Sequence, residues 1–343
     1  MYFWTVIQIH ENINLKPLNT FGITAFAAYY CKIQSEKDLI ELIANPVFKS
    51  NEKLILGGGS NILFTKNFDG LVIQNNITGI NIVNEDKDHV VVKVGAGEVW
   101  HDFVMWCVNK NYGGLENLSL IPGCVGASPM QNIGAYGVEI KDMFIELEAI
   151  DLKDGSKKIF DKKACEFGYR ESSFKHKYKN NFIITFVTFR LNKQPAFNTS
   201  YGAINDELKN MKAEANIRNI SQAVINIRSS KLPDPKLIGN AGSFFKNPEV
   251  NKAIHAKLKN ENPQLVSYPL DNGNYKLAAG WLIEHCGLKG FVQGNAGVHD
   301  KQALVLVNKG EANGNEVYAL SEHVLQTVLN KFGVTLEREV NII

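Results

Sequence analysis

Between residues 113 and 137 the chain reads GGLENLSLIPGCVGASPMQNIGAYG, with glycine at 113, 114, 123, 126, 134 and 137 and one charged residue, Glu116. So much glycine argues against a helix, where each Gly costs roughly 1 kcal/mol relative to Ala. So little charge argues against a solvated linker. What remains is a long loop pressed against something, and glycine lets backbone N–H groups come close to a ligand. A second such segment lies upstream. Residues 54–61 read LILGGGSN, a buried strand opening into successive backbone donors with a hydroxyl and an amide beside them. Taken alone, that is either a tight turn or a pyrophosphate cradle that needs no lysine. Two loops of this kind suit an extended dinucleotide.

Strands and helices alternate around these loops. Ser35 and Asp38 read as a capping box, with Leu39, Ile40, Leu42 and Ile43 as the apolar face of the helix that follows. Strands are expected at 53–56, 71–74, 90–94, 144–150, 182–191 and 303–307. Helices are expected from Glu98, with Val99, Phe103, Val104, Cys107 and Val108 on one side, in the Lys-rich stretch 205–235, and at 278–286. A last one is expected behind Asn315, with Val317, Leu320, Val324 and Val328 in register. The pattern is α+β or α/β with glycine-rich turns at strand ends, where small-molecule sites tend to sit. The shift in composition at 205–235, ending in KLPDP at 231–235, marks a domain boundary.

Several function classes drop out. The 343 residues, 45% hydrophobic with 28 Gly and 10 Pro, have a globular profile. Lys and Arg number 37 against 35 Asp and Glu, a balance that excludes a dominating pull toward nucleic acid or anionic lipid. The basic run KHKYK at 175–179 reads as a solvated face. No apolar run approaches the ~18–20 residues of a membrane span. The opening MYFWTVIQIHENINL has no Lys or Arg before Lys16, so no basic secretion head is read and a cytoplasmic location is expected. Cys31, Cys107, Cys124, Cys165 and Cys286 form no C-x-x-C, and no H-E-x-x-H occurs; neither disulfides nor a metal site are expected. Gly95-Ala-Gly97 meets Trp100 where a dinucleotide fingerprint needs its third glycine, no phosphate-loop lysine motif is present, and Ser128 lacks the second glycine of a nucleophile elbow.

Five segments then carry a resemblance. NTFGI at 19–23, LGGGSN at 56–61, IPGCVGASPMQNIGAYG at 121–137, GYRESSF at 168–174 and NAGSFFKNP at 240–248 resemble the UDP-N-acetylenolpyruvoylglucosamine reductases, the MurB family of peptidoglycan synthesis, over about residues 15–340. Tyr268 and NYKLAAGWLIEHCGLKG at 274–290 are similar to its longer, type I branch. The resemblance implies a FAD fold like that of vanillyl-alcohol oxidase (the PCMH type). Two FAD-binding subdomains would lie at 1–80 and 81–215. An α+β substrate-binding domain would follow at 216–343, its final residues returning to the active site. It also implies non-covalent FAD, NADPH as reductant, a UDP-sugar as substrate, a monomer, and no nucleic-acid, membrane or metal partner.

The reaction so implied, that of a UDP-N-acetylmuramate dehydrogenase, delivers hydride from flavin N5 to an enolpyruvyl ether and leaves a carbanion beside a carboxylate. That needs a charge clamp and a proton donor. By resemblance the donor is Ser243, the clamp is Arg170, and the C-terminal glutamate is Glu339. Glu337 is the alternative, because Arg338 stands where the family has proline. Cofactor contacts implied are Gly57, Gly58, Gly59, Ser60, Asn61, Pro122, Gly123, Gly126, Ala127, Ser128, Gly134, Ala135 and Gly137. Substrate contacts implied are Tyr169, Tyr201, Lys231, Asn247 and Tyr268. Two other readings stay open: a flavin oxidase, against which stands the absence of histidine from 54–64, and a sensor without turnover, which has no need of a proton donor.

Overall fold

Ser35 starts the first helix by the exchange its sequence demands. Its hydroxyl accepts from the Asp38 N–H at 3.1 Å and the Asp38 carboxylate accepts from the Ser35 N–H at 3.1 Å, so the orphan donors of the helix Glu36–Ala44 are satisfied. Leu39 and Leu42 are buried, but Ile40 is half exposed. Ile40 stands about 100° round the helix from Leu39, beyond the stripe that nine residues can bury. The structure, a computed structural model, describes residues 7–343. Met1 to Val6, the opening of the stretch read for a secretion signal, lie outside the described residues.

The chain forms two compact units. The first comprises the N-terminal residues to Ile13, Ala27–Gly58 and Asp69–Ser230. One of its sheets has the strand order Ile9–Asn14, Phe26–Ile33, Phe68–Asn75, Lys53–Leu56, the last two strands running parallel. Its largest sheet is antiparallel throughout, in the order Lys157–Asp161, Phe144–Asp151, Phe182–Asn192, His89–Gly95, Ile80–Glu85. The helix Trp100–Asn109 packs on that sheet through Trp100, Phe103, Val104, Cys107 and Val108. Val99, expected on its buried face, is 48% exposed; it is the cap residue, in extended conformation, and pairs with Cys124 instead. Trp100 takes the core place, edge-on to Phe103 and Phe189, with its indole N–H on the Leu118 carbonyl at 2.9 Å. The Lys-rich stretch forms two helices, Gly202–Asn210 and Ile217–Lys231, which share a small apolar cluster.

The second unit comprises Asn14–Phe26, Gly59–Phe68 and Lys231–Ile343. Its main sheet is antiparallel, in the order Gly239–Ser243, Val305–Asn308, Ala296–Val298, Val292–Gln293. A three-stranded sheet follows the order Glu249–Val250, Tyr275–Leu277, Ser267–Pro269. The long helix Gly314–Phe332 buries Val317, Leu320, Val324 and Val328, as the spacing demands. It begins two residues before the expected start, because Asn313, with Glu316, supplies the capping box, and Gly333 in the left-handed region ends it. Asn341–Ile342 lies parallel to Ile62–Leu63, which returns the chain end to the exit of the first glycine segment. No helix among the described residues is long and apolar enough to cross a membrane. The buried thiols of Cys31 and Cys165 are pushed up to about 12 by desolvation, so they pack as neutral groups.

Candidate active site

In the first unit the two glycine segments touch. A side chain at Gly58 would place Cβ 3.3 Å from the Gly123 Cα, and one at Gly57 would place it 3.5 Å from the Cys124 Cβ. Gly126 is forced by packing: its Cβ would stand 2.5 Å from that of Ala96, whose carbonyl accepts the Gly126 N–H at 2.8 Å. The N–H groups of Ala127 and Ser128 donate to the carbonyls of Cys124 and Val125, and the Ser128 hydroxyl also donates to Val125 O. Residues 126–128 therefore shape the loop more than they offer it donors. Gly134–Ala135 and Val138–Glu139 form a tight hairpin whose two turn residues, Tyr136 and Gly137, both have positive φ, the type I′ pattern. Pro122 precedes Gly123, whose carbonyl accepts the Trp100 N–H at 2.9 Å. Neutral glycine-rich strand exits with hydroxyls and amides, and no lysine, fit a flavin dinucleotide.

Arg170 sits at the tip of a two-residue turn. Gly168 and Glu171 exchange backbone hydrogen bonds of 3.0 and 3.4 Å, and Arg170 has φ +56°, a strained value for a residue with a side chain. Two side chains hold the turn there: Lys175 Nζ donates to the Arg170 carbonyl at 2.8 Å, and Asn132 Nδ2 donates to the Gly168 carbonyl at 3.0 Å. Asn132 is fully buried and also donates to Glu139, so one amide ties the hairpin to the arginine turn. The Arg170 guanidinium lies 5.8 Å from the centre of the Tyr169 ring. Tyr201, half exposed, meets Tyr136 edge-on at 5.2 Å. Tyr136 in turn hydrogen-bonds Arg228, whose guanidinium is held below its usual value by burial and, more weakly, by the charge of Arg170. Burial pushes the Tyr136 phenol up.

The second unit carries the other half of the expected set. Gly59 has φ +61°, and a Cβ there would stand 2.0 Å from the Leu18 carbonyl oxygen, so only glycine fits. Ser60 and Asn61 follow it. Ser243 ends the strand Gly239–Ser243 and is exposed. Gly242, at φ +70° and with its N–H on Asn240 Oδ1, breaks the register just before it. The next residues, 244–246, run antiparallel to 337–339. Phe244 O accepts the Glu339 N–H at 2.8 Å, Phe245 pairs with Arg338, and Glu337 O accepts the Lys246 N–H at 2.8 Å. Glu339 thus lies beside the residue that follows Ser243, and its carbonyl accepts from Asn61 Nδ2 at 3.3 Å. Glu337 is 71% exposed and paired with Lys246. Arg338, at the position where the resembled pattern has proline, donates to Ser321 and Glu322 of the long helix and stands over the Tyr318 ring.

The remaining substrate positions have simpler surroundings. Asn247 accepts the Ala279 N–H at 2.9 Å, which starts the helix Ala279–His285. Tyr268 is 46% exposed, opposite Lys276 in the three-stranded sheet, and Lys231 ends its helix exposed. Sequence reasoning missed Asn132, Tyr136, Arg228 and His101. The first two lie inside the motif quoted above and could have been picked out; Arg228 and His101 lie in ordinary helical patterns that carry no signal.

Comparison with known proteins matches this architecture at each level. The profile of a FAD binding domain matches residues 27–159, and that of the UDP-N-acetylenolpyruvoylglucosamine reductase C-terminal domain matches residues 234–343. The chain is 51% identical over 338 residues to the UDP-N-acetylenolpyruvoylglucosamine reductase of Amoebophilus asiaticus, covering 98% of this chain and 100% of that one. It is 49% identical to the enzyme of the same name from Flavobacterium johnsoniae, with 98% and 100% covered. The crystal structure of that reductase from Thermus caldophilus shares the fold, with a TM-score of 0.67 at 23% identity over 98% of this chain and 99% of that one. A FAD-binding domain, a reductase-specific C-terminal domain and full-length identity near one half place the chain in the UDP-N-acetylenolpyruvoylglucosamine reductase family.

Proposed function

We propose that this chain reduces UDP-N-acetyl-3-O-(1-carboxyvinyl)-glucosamine to UDP-N-acetylmuramate at the expense of NADPH. Residues up to 80 and 81–215 would form the two halves of the FAD-binding part, and 216–343 the substrate-binding part. FAD, when bound, supplies a carrier that takes hydride from NADPH and releases it to the substrate. Addition of hydride to the terminal vinyl carbon leaves an electron pair on the carbon beside the carboxylate. Ser243 donates its hydroxyl proton to that carbon. An alcohol is a weak acid, but it suffices against a carbon base, and it carries no resting charge to repel an anion. Arg170 grips the carboxylate with two parallel N–H donors as charge develops, and Arg228 adds positive potential behind it. Glu339 steadies the same centre, Lys231 offers a point charge to the diphosphate with Tyr201 and Tyr268 as aromatic cover, and Asn247 adds an amide.

The observation that supports this reading is the pairing of 244–246 with 337–339, in which the Glu339 N–H donates to the carbonyl of Phe244, the residue after Ser243. The experiment is direct. The purified protein should be yellow, bleach with NADPH, and recover its colour on addition of the enolpyruvyl UDP-sugar. A protein that takes up no flavin, or that bleaches and recovers its colour only with oxygen, would overturn it.

A further inference from the structure

The NTFGI segment at 19–23 has no part in the chemistry above, yet it is built into the second unit with unusual care. Asn19, 7% exposed, closes its own loop: Nδ2 donates to the carbonyls of Leu15 at 2.8 Å and Ile23 at 2.9 Å, and Oδ1 accepts the Ile23 N–H at 3.0 Å. Gly22, at φ +65°, lets the chain double back. Phe21 is fully buried, edge-on to Phe244, and its carbonyl accepts from Asn308 Nδ2 at 3.0 Å. These contacts fix the place of Thr20, which faces two ways. Its N–H donates to the Gly59 carbonyl at 3.0 Å, on the first glycine segment. Its carbonyl accepts the Asn240 N–H at 3.0 Å, and its hydroxyl donates to the Asn240 carbonyl at 2.6 Å, on the strand that ends in Ser243. The same hydroxyl stands 3.4 Å from the Gly59 carbonyl oxygen.

We propose that Thr20 is a positioning residue for proton delivery, holding the Ser243 strand at a set distance from the glycine segment expected to carry the flavin. The proposal rests on Ser243 as the donor. The division of bonds makes it specific. The backbone N–H of Thr20 holds Gly59, while the hydroxyl is the added restraint on Asn240, three residues from Ser243. Loss of the hydroxyl alone leaves the glycine segment tied and loosens the donor strand. A small displacement of a positioned group can cost ~10²-fold in rate.

The test separates the two half-reactions in Thr20→Val, which keeps the shape and both backbone bonds. FAD affinity, measured by quenching of flavin fluorescence on the apoprotein, and bleaching by NADPH should stay close to wild type. Reoxidation by the enolpyruvyl UDP-sugar should fall ~10- to 100-fold, and Thr20→Ser should restore most of it. In a Ser243→Ala background Thr20→Val should add nothing, since residues acting through one step are not additive. Should Thr20→Val not accumulate folded, Thr20→Ala removes the same hydroxyl without a misfitting methyl. Equal losses in bleaching and reoxidation, normal reoxidation, or equal cost in both backgrounds would each overturn the proposal while Ser243→Ala alone remains defective. If Ser243→Ala itself reoxidises normally, the assignment of the donor fails and takes this proposal with it.

Discussion

Glu337 and Glu339 are two residues apart on one extended segment, and their surroundings differ enough to predict different behaviour. Glu337 is mostly exposed and pairs with Lys246, an interaction of a kind worth about 0–1 kcal/mol. Glu339 has its N–H on Phe244 and its carbonyl on Asn61, so its position is set from both sides. Glu339→Gln should therefore depress kcat far more than it raises KM, the signature of an interaction made in the transition state. Glu337→Gln should stay within about threefold of wild type in both constants. Steady-state kinetics on the pair decides it, and equal damage from both would move the role to the other register. Arg170→Lys belongs to the same scale. A lysine ammonium cannot reproduce a two-pronged contact, so kcat should fall ~10²-fold or more. Folding stability should change little, because the turn is held by Lys175 and Asn132 through backbone carbonyls.

At the scale of elements, the loop that precedes Pro122 shows why part of the site was readable and part was not. Glycine content announced the loop at 113–137, and the strands expected at 144–150 and 182–191 formed at Phe144–Asp151 and Phe182–Asn192, since both depend on local backbone preference and on burial of apolar runs. Val99 and Trp100 exchanged roles, because a cap residue follows the geometry of its turn and not the helical stripe. Nothing local could reveal that His101 and Arg228 both serve Leu120. The Leu120 N–H donates to His101 Nδ1 at 3.0 Å, its carbonyl accepts from Arg228 Nε at 3.3 Å, and its φ is +59°. His101 must be unprotonated at Nδ1 to accept, and its pKa is held below the usual value by burial first and by Arg228, with Asp102 pulling the other way. A histidine whose pKa is lower folded than unfolded contributes stability that is complete above the unfolded pKa of about 6.5 and is lost as pH falls through the folded value. Thermal melts should therefore show wild type losing stability below about pH 6.5 more steeply than His101→Gln. Parallel curves for the two proteins would remove His101 from the account.

At the scale of the whole molecule, the sheets bear on where the proposed reductant, NADPH, would bind. A separate NADPH-binding unit of the usual kind needs a parallel sheet with glycines at the carboxyl end of a strand, next to a helix N-terminus. Both the five-stranded sheet of the first unit and the four-stranded sheet of the second are antiparallel. In the first unit's other four-stranded sheet Lys53–Leu56 runs parallel to Phe68–Asn75, but the glycines after Leu56 lead into the strand Ile62–Leu63 and not into a helix. The one candidate fingerprint, at Gly95 and Gly97, is accounted for by packing. A Cβ on Gly95 would stand 2.4 Å from the Ile77 carbonyl oxygen, and one on Gly97 would stand 2.6 Å from the Asn76 Cα. Those glycines admit the neighbouring chain and leave no room for a phosphate. In the proposed reaction NADPH and the enolpyruvyl group both have to reach the same flavin nitrogen, so one should leave before the other binds. Initial-rate measurements should then give parallel double-reciprocal lines, with inhibition by high UDP-sugar competitive against NADPH. NADPH should bleach the flavin fully with no UDP-sugar present. Intersecting lines, or bleaching that waits for the second substrate, would mean that both ligands sit in the protein at once and that a nicotinamide site exists outside the elements described here.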